Sequence, residues 1–129
     1  MDNRLFEHFK RLGFRKWYER QLLSSHAHMV LAFLSVICVV GAMEAFRTAQ
    51  GDAQLADGLF VIVGAGIGAW AMRRYAFLMM RAEQAANQAS CPDCGDYGRF
   101  HVVGHRPRQQ EIDVRCRRCE RAWIFSSLQ

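Results

Sequence analysis

Four of the five cysteines in this 129-residue chain form two C-x-x-C pairs, a spacing at which two thiolates can hold one metal ion. The pairs are Cys91 with Cys94 and Cys116 with Cys119, and twenty-one residues separate them. If the intervening chain forms a hairpin, the pairs meet and four sulfurs surround the ion as a tetrahedron. Four thiolates leave no open coordination position, so we expect a structural metal. Metal-binding thiols must stay reduced, which favours the cytoplasm for this segment.

Three β-rich stretches around the cysteines can position them: RFHVV, EIDVRC and AWIFS. Their candidate core residues are Phe100, Val102, Ile112, Val114, Trp123 and Phe125. A segment of about forty residues has too small a core to fold alone, so we expect the metal to be obligatory. Gly95 suits the positive φ of the first knuckle, whereas Glu120 holds the equivalent place in the second, at a cost of about 1 kcal/mol.

This segment, residues 89–129, resembles the zinc-ribbon superfamily through CPDCG at 91–95 and CRRCE at 116–120, and the resemblance covers about a third of the chain. The resemblance implies a β ribbon with structural Zn²⁺ that binds nucleic acid or protein and catalyses no reaction. The site is also similar to rubredoxin, which holds iron for electron transfer. Rubredoxins usually have a Pro-Gly knuckle on both sides, and CRRCE departs from that pattern, so zinc is favoured over iron.

Upstream of the ribbon lie two apolar runs that predict a transmembrane hairpin over residues 26–88. The first span covers about 27–46 and the second about 55–78, each long enough for the hydrocarbon core of about 30 Å. Between them, RTAQGDAQLAD predicts a polar turn. The second helix is expected to start near residue 54 and to continue into the mid-eighties.

The first 25 residues have the pattern of a basic amphipathic helix. Apolar side chains recur at three- and four-residue spacing, and Gly13 indicates a bend; the apolar set is Leu5, Phe6, Phe9, Leu12 and Trp17. A helix with this composition, placed just before a span, is expected to lie in the membrane interface. Packing against a partner subunit is the alternative.

Charge distribution predicts the orientation of the hairpin. Residues 2–20 contain six Lys or Arg against three acids, and Arg73 and Arg74 follow the second span, whereas the loop between the spans has one Arg and two Asp. The positive-inside rule then places both termini in the cytoplasm and the protein in the inner membrane. The formal net charge of +5 is explained by these flanks, so nucleic acid is possible but not favoured.

The stretch LFVIVGAGIGA at 59–69 resembles a dinucleotide-binding fingerprint, but its surroundings exclude that interpretation. The next strand and its acidic residue are missing, because a cysteine knuckle stands there. In a span, Gly64 and Gly68 form a G-x-x-x-G pair that lets helices approach closely, and Gly41 with Ala45 is a similar pair in the first span. The partner of this glycine face can be the first span, a second copy or another subunit.

These features predict an α-helical membrane hairpin with an N-terminal amphipathic helix and a small C-terminal β zinc ribbon. No nucleophile–base pair, open metal site or phosphate loop indicates an enzyme or a small-molecule substrate. The favoured function is a non-catalytic accessory or scaffold subunit of a larger membrane complex, with the ribbon contacting protein. One alternative is a membrane-anchored sensor or effector whose ribbon binds nucleic acid or a signalling partner and whose spans oligomerise. Another is a rubredoxin-like iron electron carrier.

Overall fold

Two long helices precede a small antiparallel sheet. The computed structural model describes the backbone of residues 2–126 and the side chains of residues 6–126. Its elements are α1 (Asp2–Thr48), α2 (Asp52–Gln88), β1 (Phe100–Arg106), β2 (Glu111–Cys116) and β3 (Ala122–Ser126). The strands pair antiparallel in the order β1-β2-β3. Two apolar helices and a three-stranded sheet agree with the predicted fold in its broad outline.

The chain forms two compact units that differ from the predicted segments. The hairpin unit is Leu23–Leu78, and the ribbon unit comprises the chain up to Leu22 together with the chain from Met79 onward. The sequence pattern predicts an N-terminal helix over residues 1–25 that is distinct from a ribbon over residues 89–129. The structure combines them because aromatic side chains of the N-terminal helix are buried in the core of the ribbon.

Helix α1 is interrupted at Gly13, as the sequence predicts. Gly13 has φ 75° and ψ 165°, a left-handed conformation that glycine adopts without a Cβ clash. The interruption changes the helical phase, so Phe14, five residues after Phe9, is buried with it. Phe9 and Trp17 of the predicted apolar face are buried, and Phe6 and Leu12 are half-buried. The side chain of Leu5 lies outside the described residues.

In the hairpin unit, the glycine face of the second span lies against the first span. A Cβ added to Gly64 would lie 2.9 Å from Val39 Cγ2, and one added to Gly68 would lie 3.2 Å from Ser35 Cβ. Gly64 and Gly68 therefore give room for close packing within one chain. Gly41 has open space around it, and Ala45 is exposed, so this pair makes no comparable contact.

The hairpin unit exposes most of its large apolar side chains. More than half of each of the following is exposed: Phe33, Leu34, Ile37, Val40, Leu59, Phe60 and Ile62. Both helices are long and apolar enough to cross a membrane. The turn between the helices is shorter than the sequence predicts. Helix α1 ends at Thr48 and α2 begins at Asp52, and Gly51 between them has φ 63°. Asp52 favours this early start because an acid is stabilised in the first turn of a helix.

The ribbon unit has an aromatic core contributed by both helices and all three strands. Its buried members are Phe9, Phe14, Trp17, Ala85, Ala89, Phe100, Ile112, Val114 and Phe125. Val102 and Trp123 pack against this set, so all six residues predicted for the ribbon core face it. Trp123 Nε1 donates to the Gln88 carbonyl at 3.1 Å, and Ser126 N donates to Gln88 Oε1 at 2.8 Å. These bonds hold β3 on the end of α2.

Candidate metal centre

The structure brings all four predicted cysteine ligands together. Their Sγ atoms lie within 4.8 Å of one another. The distance is 3.4 Å between the sulfurs of Cys91 and Cys119 and 3.7 Å between those of Cys94 and Cys116. A tetrahedral zinc ion with bonds of about 2.3 Å requires sulfur–sulfur edges of about 3.8 Å. The donor set therefore fits one tetrahedral metal ion with small adjustments.

Two loops of the same local design present the cysteines. In the first, Cys91 N donates to the Asp96 carbonyl at 2.9 Å; in the second, Cys116 N donates to the Arg121 carbonyl, also at 2.9 Å. Each bond joins the first cysteine of a pair to the residue five positions later. Each loop therefore has the curvature that directs both of its thiols to one point.

The residue after each second cysteine has a positive φ, as expected. Gly95 has φ 71° and Glu120 has φ 62°. Glycine adopts this conformation freely, whereas a residue with a Cβ is strained by about 1 kcal/mol or more. The equivalence of the two knuckles explains why Glu120 is held there.

Sheet and helix fix the loops. Cys91 follows α2 closely, where Ser90 forms an isolated bridge with Tyr97, and Cys116 is the last residue of β2. Arg117 N donates to the Arg99 carbonyl at 2.9 Å and thereby ties the second loop to the residue before β1. Within the cluster, Cys91 and Cys116 are buried and Cys119 is exposed.

The thiols influence one another's ionisation. The backbone N–H of Cys94 is the largest of several hydrogen bonds that lower the pKa of Cys91 to about 7. For Cys119, the Arg121 N–H lowers the pKa, but the hydrogen bond to Cys91, partial desolvation and the other thiols outweigh it and raise the pKa to about 12. For Cys94, the Asp96 N–H lowers the pKa, while burial and the Cys116 and Cys91 thiols raise it. Cys91 therefore ionises before Cys94 and Cys119, chiefly because the Cys94 N–H stabilises its thiolate, and a metal ion would displace the protons of the other thiols.

Polar groups around the cluster offset its negative charge. Four thiolates with one divalent ion carry about −2. Arg118 N lies 3.4 Å from Cys116 Sγ and can donate to it, and Arg121 pairs with Asp93 across the two loops at 3.8 Å. Both partners of this ion pair are half exposed, so its own contribution to stability is small.

The sequence predicts the clustering of the four cysteines but not the N-terminal contribution to the fold that holds them. The ring of Phe14 lies 5.4 Å from that of Phe100, and the ring of Phe9 lies 5.5 Å from that of Phe125. The periodicity of the apolar residues was the available signal, but it does not indicate what covers that face. Phe14 was absent from the predicted apolar set because it is out of phase with Phe9 and Leu12, although it precedes Trp17 by three residues.

The remaining predicted motif, LFVIVGAGIGA, lies entirely inside α2, with no strand before its glycines. This agrees with the exclusion of a dinucleotide site. No family model matches the sequence, and comparison with curated proteins and with solved structures likewise gives no match.

Proposed function

We propose that this chain is a non-catalytic, two-span membrane protein whose zinc-bound ribbon unit is a cytoplasmic docking domain for a partner protein of a larger membrane complex. One observation carries the proposal: four sulfurs lie within 4.8 Å of one another in a unit whose core is shared by ribbon and helices. Such a closed thiolate set suits a structural ion, since it leaves no position for substrate.

The exposed apolar surface of the hairpin unit supports membrane insertion. Exposure of an apolar surface of this extent to water is unfavourable, whereas the hydrocarbon core of a bilayer is itself apolar and solvates such a surface. The charge asymmetry of the flanks supports cytoplasmic termini in the inner membrane. Reporter fusions at the loop near Gly51 and at the C-terminus test this topology, and a cytoplasmic loop would contradict it.

The outer face of the sheet supports a protein partner over nucleic acid. Val103 and Ile124 are each about half exposed there. Ile124 pairs in register with Asp113, whose carboxylate lies 3.2 Å from the Arg106 guanidinium. An apolar surface with neutralised charge suits a protein contact, whereas nucleic acid requires a continuous basic surface.

Affinity purification of the full-length protein in mild detergent tests this function. We expect specific membrane or cytoplasmic proteins to co-purify and to be lost from Ile124→Glu, while the metal content of that variant is unchanged. Arg108→Glu is the control, because Arg108 is exposed in the β1–β2 turn and its replacement also adds an acid to the surface of the ribbon unit. We expect this variant to retain the partner proteins.

Replacing Cys91 and Cys116 by Ser separates the two parts of the proposal. We expect this variant to lose metal and partner while remaining in the membrane fraction. Co-purifying nucleic acid, or a partner set unaffected by both variants, would contradict the docking function.

A further inference from the structure

The second span of the hairpin unit bears a cleft of about 390 Å³ that the proposed function does not use. Its lining residues are Trp70, Arg73, Arg74 and Phe77. Positions three or four apart on a helix are neighbours, so each arginine adjoins both aromatic residues along α2. The volume falls in the range of small-ligand sites, about 300–1,000 Å³.

The cleft carries unneutralised positive charge. Both arginines are exposed, and no carboxylate pairs with either of them in the part of the chain that the structure describes. The guanidinium carbon of Arg74 lies 5.6 Å from the centre of the Phe77 ring, which orients that cation beside an apolar surface. Two guanidinium groups without an acid favour an anionic ligand.

The aromatic side of the cleft is held in place. Trp70 is 58% exposed, and its ring centre lies 5.5 Å from that of His28 on the first span. His28 Nδ1 donates to the Ser24 carbonyl at 2.7 Å, which fixes the imidazole beside the indole. Tryptophan with an apolar ring and a polar N–H suits the level of lipid headgroups.

We propose that this cleft binds the phosphodiester headgroup of an anionic phospholipid in the cytoplasmic leaflet. The inference rests on the proposed membrane insertion, which places the cleft at the inner boundary of the second span. Planar guanidinium groups donate paired hydrogen bonds to phosphate oxygens. Trp70 and Phe77 face the start of the acyl chains. A zwitterionic headgroup is disfavoured because its ammonium group finds no carboxylate among the lining residues.

The expected preference follows from the number of arginines. An arginine near an anionic membrane surface contributes about fivefold in affinity, so the pair contributes about thirtyfold. Arg73→Gln with Arg74→Gln should therefore weaken binding of phosphatidylglycerol about thirtyfold, and each single variant about fivefold. Arg47→Gln, at the far end of the hairpin unit, removes the same charge outside the cleft and is the matched control.

Native mass spectrometry of the full-length protein in mild detergent, titrated with phosphatidylglycerol or phosphatidylcholine, measures this preference. We expect one phosphatidylglycerol to bind more tightly than phosphatidylcholine, the double variant to lose the difference, and Arg47→Gln to retain it. Millimolar inorganic phosphate should leave the lipid bound. Equal affinity for the two lipids, an unchanged double variant, or an equal effect of Arg47→Gln overturns the proposal. Displacement by inorganic phosphate assigns the cleft to a soluble anion and also overturns it.

Carbonate extraction of membranes separates this inference from the function on which it rests. If the wild-type protein is released from the membrane, the proposed membrane insertion fails. If it is retained but shows no preference for phosphatidylglycerol, only the lipid site fails.

Discussion

Replacing Phe9 by Ala should weaken the metal centre although Phe9 lies more than eighty residues before Cys91, the first cysteine of the cluster. Phe9 is 4% exposed. Its ring centre lies 5.0–6.3 Å from those of Phe14, Trp17, Phe100 and Phe125. The substitution removes a ring from the core that all three strands of the ribbon share, so it leaves a cavity at the place where helix and ribbon meet.

The magnitude follows from the burial of that ring. Truncating a buried Phe to Ala costs about 3–5 kcal/mol of folding free energy. In a small metal-dependent domain the ion binds only the folded form, so the loss appears in the apparent affinity for the metal. At about 1.4 kcal/mol per factor of ten, the apparent dissociation constant should rise more than about a hundredfold.

Competition for the metal with a chromophoric chelator, using full-length protein in detergent, measures this change. Phe33→Ala is the matched control, because Phe33 is 66% exposed on the hairpin unit and its loss should leave metal affinity unchanged. If Phe9→Ala binds metal as tightly as the wild type, the N-terminal helix does not belong to the ribbon core and lies elsewhere, as in the membrane interface.

Three further predictions concern other positions. Gly64→Ala should destabilise the hairpin by about 1–3 kcal/mol, because the new Cβ would lie 2.9 Å from a methyl carbon of the first span. An SDS unfolding titration measures this loss. Gly66→Ala is the control and should not destabilise the hairpin, because its Cβ meets open space. Glu120→Gly should stabilise the metal-bound ribbon by about 1 kcal/mol by relieving a positive φ, whereas Glu120→Ala should give no gain in the same denaturant midpoint. The apparent dissociation constant for metal should fall at least about a hundredfold per unit rise in pH near pH 7, since the raised pKa values of Cys94 and Cys119 mean that at least two protons are displaced. A pH-independent constant would contradict this proton release.

The four-cysteine cluster was predictable because the C-x-x-C spacing typical of metal sites is a local feature of the sequence. Each C-x-x-C pair sets its two thiols by the geometry of one short loop, so the four cysteines could be named without knowledge of the fold. The positive φ at Glu120 could be predicted for the same reason, by comparison of its place with that of Gly95. Alternation within the strands likewise indicated which side chains form the ribbon core.

The partners of apolar faces were not predictable from the same chain. The spacing of Phe9 and Trp17 gives one helical face, but lipid and a protein core select the same residues for such a face. Phe14 is out of phase with Phe9 and Leu12 before Gly13, and its three-residue spacing from Trp17 was the available sign of its burial. Similarly, Gly64 and Gly68 indicate close helix packing but do not identify Ser35 and Val39 as the contacts. The glycine spacing only shows that one helix surface lacks side chains, and any other helix can pack against such a surface.

Metal analysis of the full-length protein, purified from carbonate-washed membranes, tests the central claim most directly. We expect a colourless protein that is retained in those membranes and contains one zinc ion per chain, held by Cys91, Cys94, Cys116 and Cys119. A red, iron-loaded protein, a metal-free folded protein, or a protein absent from the washed membranes would contradict it.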